Sequence, residues 1–445
     1  MPLRHPINSQ FTQRDKWILV ALFLVALSGY AVFAVQIARG SFFDYFNLAF
    51  DTDPRRYAEV IARAAEQRDG GSKIGGPKHP LIHYFQFIGR PLEWMVGDWK
   101  LAAALASCIA AAAAVASSFA FFRLLGVTPS LAAMAAGLFG VSAAPLVNAF
   151  ISESYVYALL TIVLAWTCAA YRLTRPDSGL LASLACAVAT FGVTVTNVIQ
   201  NLLGEAVVQR SRGGWASTAR SIVRYGATVA AAILTLLVIT FPGEMWWIVT
   251  HPLDAARVIL WQQTKGETSG LRQVLLSFFV YSFTAPEFST VLLQGGAPML
   301  DFRAFQYGPL GLLGVVLWGL LLAAGFVAAT FDRTARRWIY LGLIAAVVFN
   351  LLLHGRYQFR GSIFLYAPHM FFNLIALLAP ILIAAGQAGA RIRGTVLVML
   401  VLIGAVTAIN NAPVAWHLAT SFERFQAAPE WHDALEARRA ERESQ

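Results

Sequence analysis

Long apolar runs separated by short polar connections fill most of the chain. Nine stretches of about twenty residues hold few or no charges: 17–37, 100–124, 129–148, 155–172, 222–241, 308–330, 338–354, 363–386 and 394–411. Some twenty apolar residues in a helix rise about 30 Å, the thickness of a bilayer's hydrocarbon layer, so each reads as a membrane-crossing helix. The stretch 178–208 is too long for one ordinary span and short for two. It holds a natural breaking point at Gly192-Val193-Thr194-Val195-Thr196-Asn197. Non-helical backbone at that depth must be buried in protein or line a cavity. Between the first two spans, the polar segment 38–99 predicts a helix over 54–68, a glycine-rich turn over 69–77 and an amphipathic stretch over 79–96.

Composition agrees with a chain solvated by lipid. It is 58% hydrophobic and 13% charged over 445 residues, well below the roughly 25% charged of soluble domains. The formal charge of +10 raises the question of nucleic acid. The arginines answer it, because they cluster at span ends, where the positive-inside bias puts them. Those clusters also set the topology. Arg172 with Arg175, Arg210 with Arg212 and Arg220, Arg333 with Arg336 and Arg337, and Arg391 with Arg393 all fall on the cytoplasmic side only if 178–208 enters and returns as a broken hairpin. The expectation is therefore an all-α polytopic membrane protein, one membrane domain over 1–445 with about eleven transmembrane helices. Its N-terminus is inside, as an uncleaved first span after Arg4, Arg14 and Lys16. The connections 38–99, 149–154, 242–307 and 355–362 and the tail 412–445 lie outside. Phe42, Phe43, Tyr45 and Phe46 are expected at headgroup depth, and 242–307, with Trp246, Trp247 and Trp261, as helices lying in the interface. The alanine-rich run 102–116 suits close helix packing. Cys108, Cys168 and Cys186 all fall in apolar segments and make no metal-binding pattern.

The loop 38–99 carries the densest chemistry. It contains FDTDPRRYAEV from Phe50 and ends in Lys78-His79-Pro80-Leu81. A carboxylate at a bilayer edge is partly desolvated and can take a proton from a hydroxyl. Asp53 directly precedes Pro54, a helix-start pattern that makes it the expected N-cap and leaves Asp51 for chemistry. Glu153 lies in the short turn 149–154 as a second acid, either facing Asp51 or serving the start of the next helix. Lys78 and His79 suit a phosphate, Lys as a compact cation, although Lys78 could also reach lipid headgroups and His83 could pack on a helix. His354, Arg356, Tyr357 and Arg360 place more cations at the outer end of a span, against the positive-inside bias. They suggest an anion held by arginine or contact with headgroups. His369 is an ionisable group inside the next apolar span, itself a suspect for function.

Taken together, the first span, the loop beginning FDTDPRRYAEV and ending KHPL, the acid Glu153 in the next outer turn and the sequence FLYAPH at 364–369 resemble the GT-C superfamily. Its members are integral-membrane glycosyltransferases that use polyprenyl-phosphate-linked sugars. The likeness is strongest to bacterial members, and more distant to protein mannosyltransferases and the aminoarabinose transferase of lipid A. It covers most of the chain as topology and about a tenth as motifs. The resemblance implies a GT-C-like helical bundle in the bacterial cytoplasmic membrane, serving cell-envelope glycan synthesis. Asp51 or Asp53 would be the catalytic base, Glu153 the second acid, and Lys78, His79, Arg356 and Arg360 the donor-phosphate contacts. One departure matters. Relatives often carry an acid just before the FLY sequence, where this chain has Gly361 and Ser362.

The expected activity is inverting transfer of a sugar from a polyprenyl-phosphate carrier to a lipid, glycan or protein acceptor at the outer face of the membrane, in contact with the bilayer and without nucleic acid. No cofactor or metal ligand is read from the sequence, and a divalent metal is left open. A transporter or flippase for a lipid-linked glycan is the alternative, suggested by the broken hairpin. Against it, the first four spans hold no charged residue in their interiors, where transporters place such groups. A partner subunit that keeps the fold without catalysis is a third reading.

Overall fold

A computed structural model of the chain describes residues 11–45, 47–63, 79–175, 177–254, 269–292, 298–358 and 361–423. Thr12 opens the first helix, α1 (Gln13–Arg39), through a capping box with Asp15, which satisfies two of the amides that a helix start leaves without partners. Helices α2 (Pro54–Ala62) and α3 (Gln86–Val96) follow in the first loop. The next, α4 (Trp99–Leu124), runs antiparallel to α1, since Asp15 at the start of one pairs with Arg123 at the end of the other at 2.7 Å. Its alanines are buried and let α1 and α7 (Ser154–Thr174) approach closely.

Among the described residues, eight helices are long and apolar enough to cross a bilayer. They cover all but one of the nine clear stretches. The exception, 129–148, is divided at Ser142 into α5 (Pro129–Val141) and α6 (Ala143–Asn148). The amides of Ala143 and Ala144 donate instead to the carbonyls of Phe283 and Ser282, at 3.0 and 2.8 Å. The segment 178–208 is also broken where its sequence predicts. Helices α8 (Leu181–Val193) and α9 (Val198–Arg212) flank a short turn at Val195–Asn197. With 13 and 15 residues, each arm is roughly 20 Å long, short of the hydrocarbon thickness.

The two ends of the bundle differ in chemistry. At one end Arg172 pairs with Glu205, Arg212 donates to the Arg172 carbonyl at 2.5 Å, and Arg336 donates to the Leu125 carbonyl at 3.2 Å. The Arg210 guanidinium lies over Trp215 and Trp338, 4.7 and 4.4 Å from the ring centres. Three of the four arginine-bearing connections, those of Arg172, Arg210 and Arg336, therefore gather at one end. The hairpin turns back at the opposite end, where the Leu81 amide donates to the Gly192 carbonyl at 2.7 Å. Helix α10 (Trp215–Thr240) then rises from the arginine end, and α11 (Pro242–Thr250) follows with Trp246 exposed.

Three expectations need correction. Phe42 and Phe43 are fully buried and face the protein interior, not lipid headgroups. Ser41 donates to the Phe422 carbonyl at 2.9 Å and Phe42 packs on Phe422 at 5.0 Å, so this stretch clamps the end of α1 to the end of the last helix. That helix, Ala390–Ser421, continues through Pro413 and past the expected tail boundary at 412; residues 424–445 lie outside the described residues. Finally, 242–307 is not helical throughout. It contains an antiparallel pair, β1 (Ser289–Leu292) and β2 (Pro298–Asp301).

Candidate functional site

The acids of the first loop sit in a tight turn held from both sides. Asn47, Phe50 and Asp51 all have positive φ, at 63°, 54° and 57°, a conformation that costs most residues energy and is tolerated best by Asn, Asp and Gly. The turn closes through Asn47 N–H to the Thr52 carbonyl at 2.8 Å and Thr52 N–H to the Ala49 carbonyl at 3.0 Å. Strand β2 grips its outer edge: Phe50 N–H donates to Leu300 O at 2.8 Å, and Leu300 N–H to Leu48 O at 3.0 Å. Beneath it the Phe50 ring packs on Phe288, Phe302 and Phe364, with centroids 4.9–5.8 Å apart. Burial of these rings stabilises the strained turn.

Glu153 is buried at the start of α7 and joins that helix to the loop. One carboxylate oxygen accepts the Asp53 amide at 2.7 Å, and the other accepts the Ser154 amide at 3.1 Å. Asp53 occupies the N-cap position of α2, but its side chain makes no capping bond. The cap expected of it is therefore absent, because its backbone is held by Glu153 in a conformation (φ −111°, ψ 57°) unlike the extended one of most N-caps. Asp51, half-buried, accepts the Gly361 amide at 2.8 Å. The carboxylate expected to be left for chemistry is thus the one that ties the first loop to the segment before the FLY sequence.

The sequence reading passed over Asp301. It is buried at the end of β2 and accepts hydrogen bonds from Ser362 Oγ at 2.6 Å and the Phe302 amide at 2.8 Å. Arg303 pairs with it at 2.5 Å and also donates to the Gly361 carbonyl. Burial pushes the Asp301 carboxyl above its ordinary range, and Arg303 and the Ser362 and Phe302 bonds only partly offset this. An acid therefore stands beside Gly361 and Ser362 in space although none precedes the FLY sequence in the chain. The only sequence signal was the pattern Asp301-Phe302-Arg303 after a short apolar strand.

The cationic candidates part company. His79 points Nδ1 at the Val193 carbonyl, 2.5 Å away, so Nδ1 carries the proton and the ring anchors the hairpin turn. Lys78 and Arg360 lie outside the described residues. Arg356 is exposed at the end of the helix Arg337–Arg356, whereas His354, two residues earlier, is buried in the bundle. Beside α2, a cavity of about 360 Å³ is lined by Asp44, Tyr45, Arg55, Glu59, Arg63 and Trp99. Arg55 and Arg63 both reach the buried Glu59, at 3.3 and 3.5 Å, and Lys100 pairs with Asp44 at 2.6 Å. Among the described residues, no three His, Cys, Asp or Glu side chains converge as metal ligands would.

The arrangement can hold carboxylates in low dielectric beside guanidinium groups, at the end of the bundle away from the arginine clusters. That combination suits removal of a proton from a hydroxyl and stabilisation of a departing anion. No protein-family model and no curated protein matches this chain.

Proposed function

We propose that this protein is a membrane glycosyltransferase that moves a sugar from a polyprenyl-phosphate carrier to a hydroxyl-bearing acceptor, with inversion, at the outer face of the bacterial cytoplasmic membrane. The observation that carries the reading is the meeting of Asp53 with Glu153 and of Asp51 with Gly361. Acids from separate loops converge at one end of an apolar bundle, within reach of carriers dissolved in the bilayer.

In this reading Asp53 is the proton acceptor, because the buried Glu153 holds its backbone at the start of α2 while Asp51 ties the loop to Gly361. The acceptor oxygen bonds to the anomeric carbon as its proton passes to the Asp53 carboxylate. The bond from that carbon to the phosphate oxygen breaks, and its electron pair leaves with the phosphate. Arg356, with Lys78 and Arg360, would offset the growing charge. Glu153 and Asp51 are positioning residues that fix the loop.

The test uses purified full-length protein in nanodiscs, radiolabelled polyprenyl-phosphate sugars and a membrane extract as the acceptor source. Transfer of label by the wild type, lost in Asp53→Asn, supports the reading; no transfer from any donor overturns it. The break at 194–197 favours a second reading, a flippase for a lipid-linked glycan. That reading expects donor translocation between leaflets of a vesicle with no new glycosidic bond.

A further inference from the structure

Four rings close around one buried spot beside the acid cluster. His354 stacks on Tyr366 with centroids 4.2 Å apart. His369 lies 5.6 Å from His354 and 5.4 Å from Tyr155, and Tyr155 meets Tyr366 edge to face at 5.8 Å. Three elements supply them: the end of Arg337–Arg356, the segment 364–376 and the first turn of α7. Both histidines are almost wholly buried, 1% and 2% exposed.

Their hydrogen bonding is incomplete. His354 Nδ1 has the Tyr357 carbonyl at 3.3 Å. Among the described residues, His354 Nε2 and both ring nitrogens of His369 have no hydrogen-bond partner. A buried polar atom without a partner costs stability that a ligand's hydrogen bonds can recover. Three on two neighbouring imidazoles leave donor and acceptor sites that a ligand's own donors and acceptors could meet.

The surroundings say what kind of group that is. The rings that flank the two imidazoles are tyrosines and Phe278. Behind His369 the network is of neutral amides: Gln200 donates to the His369 carbonyl at 2.8 Å and accepts from Trp166 at 2.7 Å and Asn373 at 3.0 Å. A neutral imidazole presents one donor and one acceptor, and a hydroxyl answers both. Tyrosine faces add apolar walls. Hydroxyls on one side of a ring and C–H groups on the other are the surface of a sugar.

Position agrees. Tyr155 lies two residues beyond Glu153, which holds the Asp53 amide at 2.7 Å, and His354 lies two residues before Arg356. We propose that His354 and His369, walled by Tyr155 and Tyr366, bind the hydroxyls of the sugar ring carried by the donor, between the proton acceptor and the phosphate. This rests on the glycosyltransferase reading and adds where the sugar sits.

The test measures binding to the full-length protein in nanodiscs of undecaprenyl phosphate, bare and carrying one hexose or one pentose. Two or three hydroxyl bonds predict at least about a fivefold preference for a sugar-bearing carrier over the bare one. His354→Gln and His369→Gln should abolish that preference and leave affinity for the bare carrier unchanged. Imidazole NMR signals of the wild type, which need no variant to fold, should shift with a sugar-bearing carrier and stay in place with the bare one. Equal shifts with both carriers, or a preference that survives both substitutions in folded protein, overturns the sugar site. Binding of bare carrier without any preference overturns the sugar site alone; no binding of any carrier overturns the glycosyltransferase reading with it.

Discussion

Asp51 and Asp53 are two residues apart, and the structure separates them by what an asparagine would change. At Asp53, Asn keeps the size, and no capping bond exists to be lost, so the usual cost of about 1 kcal/mol for losing a cap does not enter. Loss of the capacity to accept a proton is expected to slow turnover about 10²–10⁴-fold. At Asp51, Asn still offers an oxygen to the Gly361 amide, now 2.8 Å away, and tolerates the φ of 57°. Turnover should therefore stay within a few-fold of wild type. Asp51→Ala is the harsher change. It removes a hydrogen bond to a charged acceptor, roughly 1.5–3 kcal/mol, and puts alanine in a left-handed conformation that costs about 1 kcal/mol more. A loss of about 2.5–4 kcal/mol in stability follows. Each variant is purified, its unfolding followed by intrinsic tryptophan fluorescence, and its turnover measured with labelled donor. Full turnover in Asp53→Asn refutes the assignment of the proton acceptor. A dead but folded Asp51→Asn reverses the two roles.

Four further outcomes are expected. Glu153→Gln leaves a single carboxamide oxygen for the two amides of Asp53 and Ser154, so one buried donor loses its partner and stability should fall by about 1–3 kcal/mol, read by thermal unfolding. Burial raises the folded-state pKa of Asp301 above 3.8, so the stability tied to its proton is complete below that value and lost as pH rises through the folded pKa; Asp301→Asn should flatten this fall in unfolding curves taken from about pH 4 to about 7. A methyl at Gly192 would lie 2.1 Å from the Leu81 side chain; overpacking of this kind costs about 1–3 kcal/mol, so Gly192→Ala should make the first loop more sensitive to limited proteolysis. For topology, an impermeant thiol reagent applied outside should label Ser72→Cys and miss Ala216→Cys; labelling of the latter would put the arginine end outside and undo the proposed orientation.

Much of the helical scaffold was legible because lipid imposes a simple rule: a span must be apolar for its whole length. The break after Gly192 followed from the length of 178–208 together with the positive-inside bias of its flanking arginines. The site was legible only where chemistry is local. Asp53-Pro54 reads as a cap because the eye sees the next residue, whereas the group that sets its backbone, Glu153, is 100 positions away. Phe42 and Phe43 look alike whether they meet headgroups or the end of the last helix. Asp301 was missed because its partner Ser362 is 61 positions on, and strands of 4 residues each are too short to stand out among aromatic residues.

The bond from Gly361 to Asp51 spans 310 positions, and that distance is also a delay. At about 5–20 residues per second of synthesis, the ribosome needs roughly 15–60 s to deliver Gly361 after Asp51 has emerged. The left-handed turn at Phe50 and Asp51 waits that long for its last clasp, held before then only by contacts made nearer in the chain, the bonds to Leu300 among them.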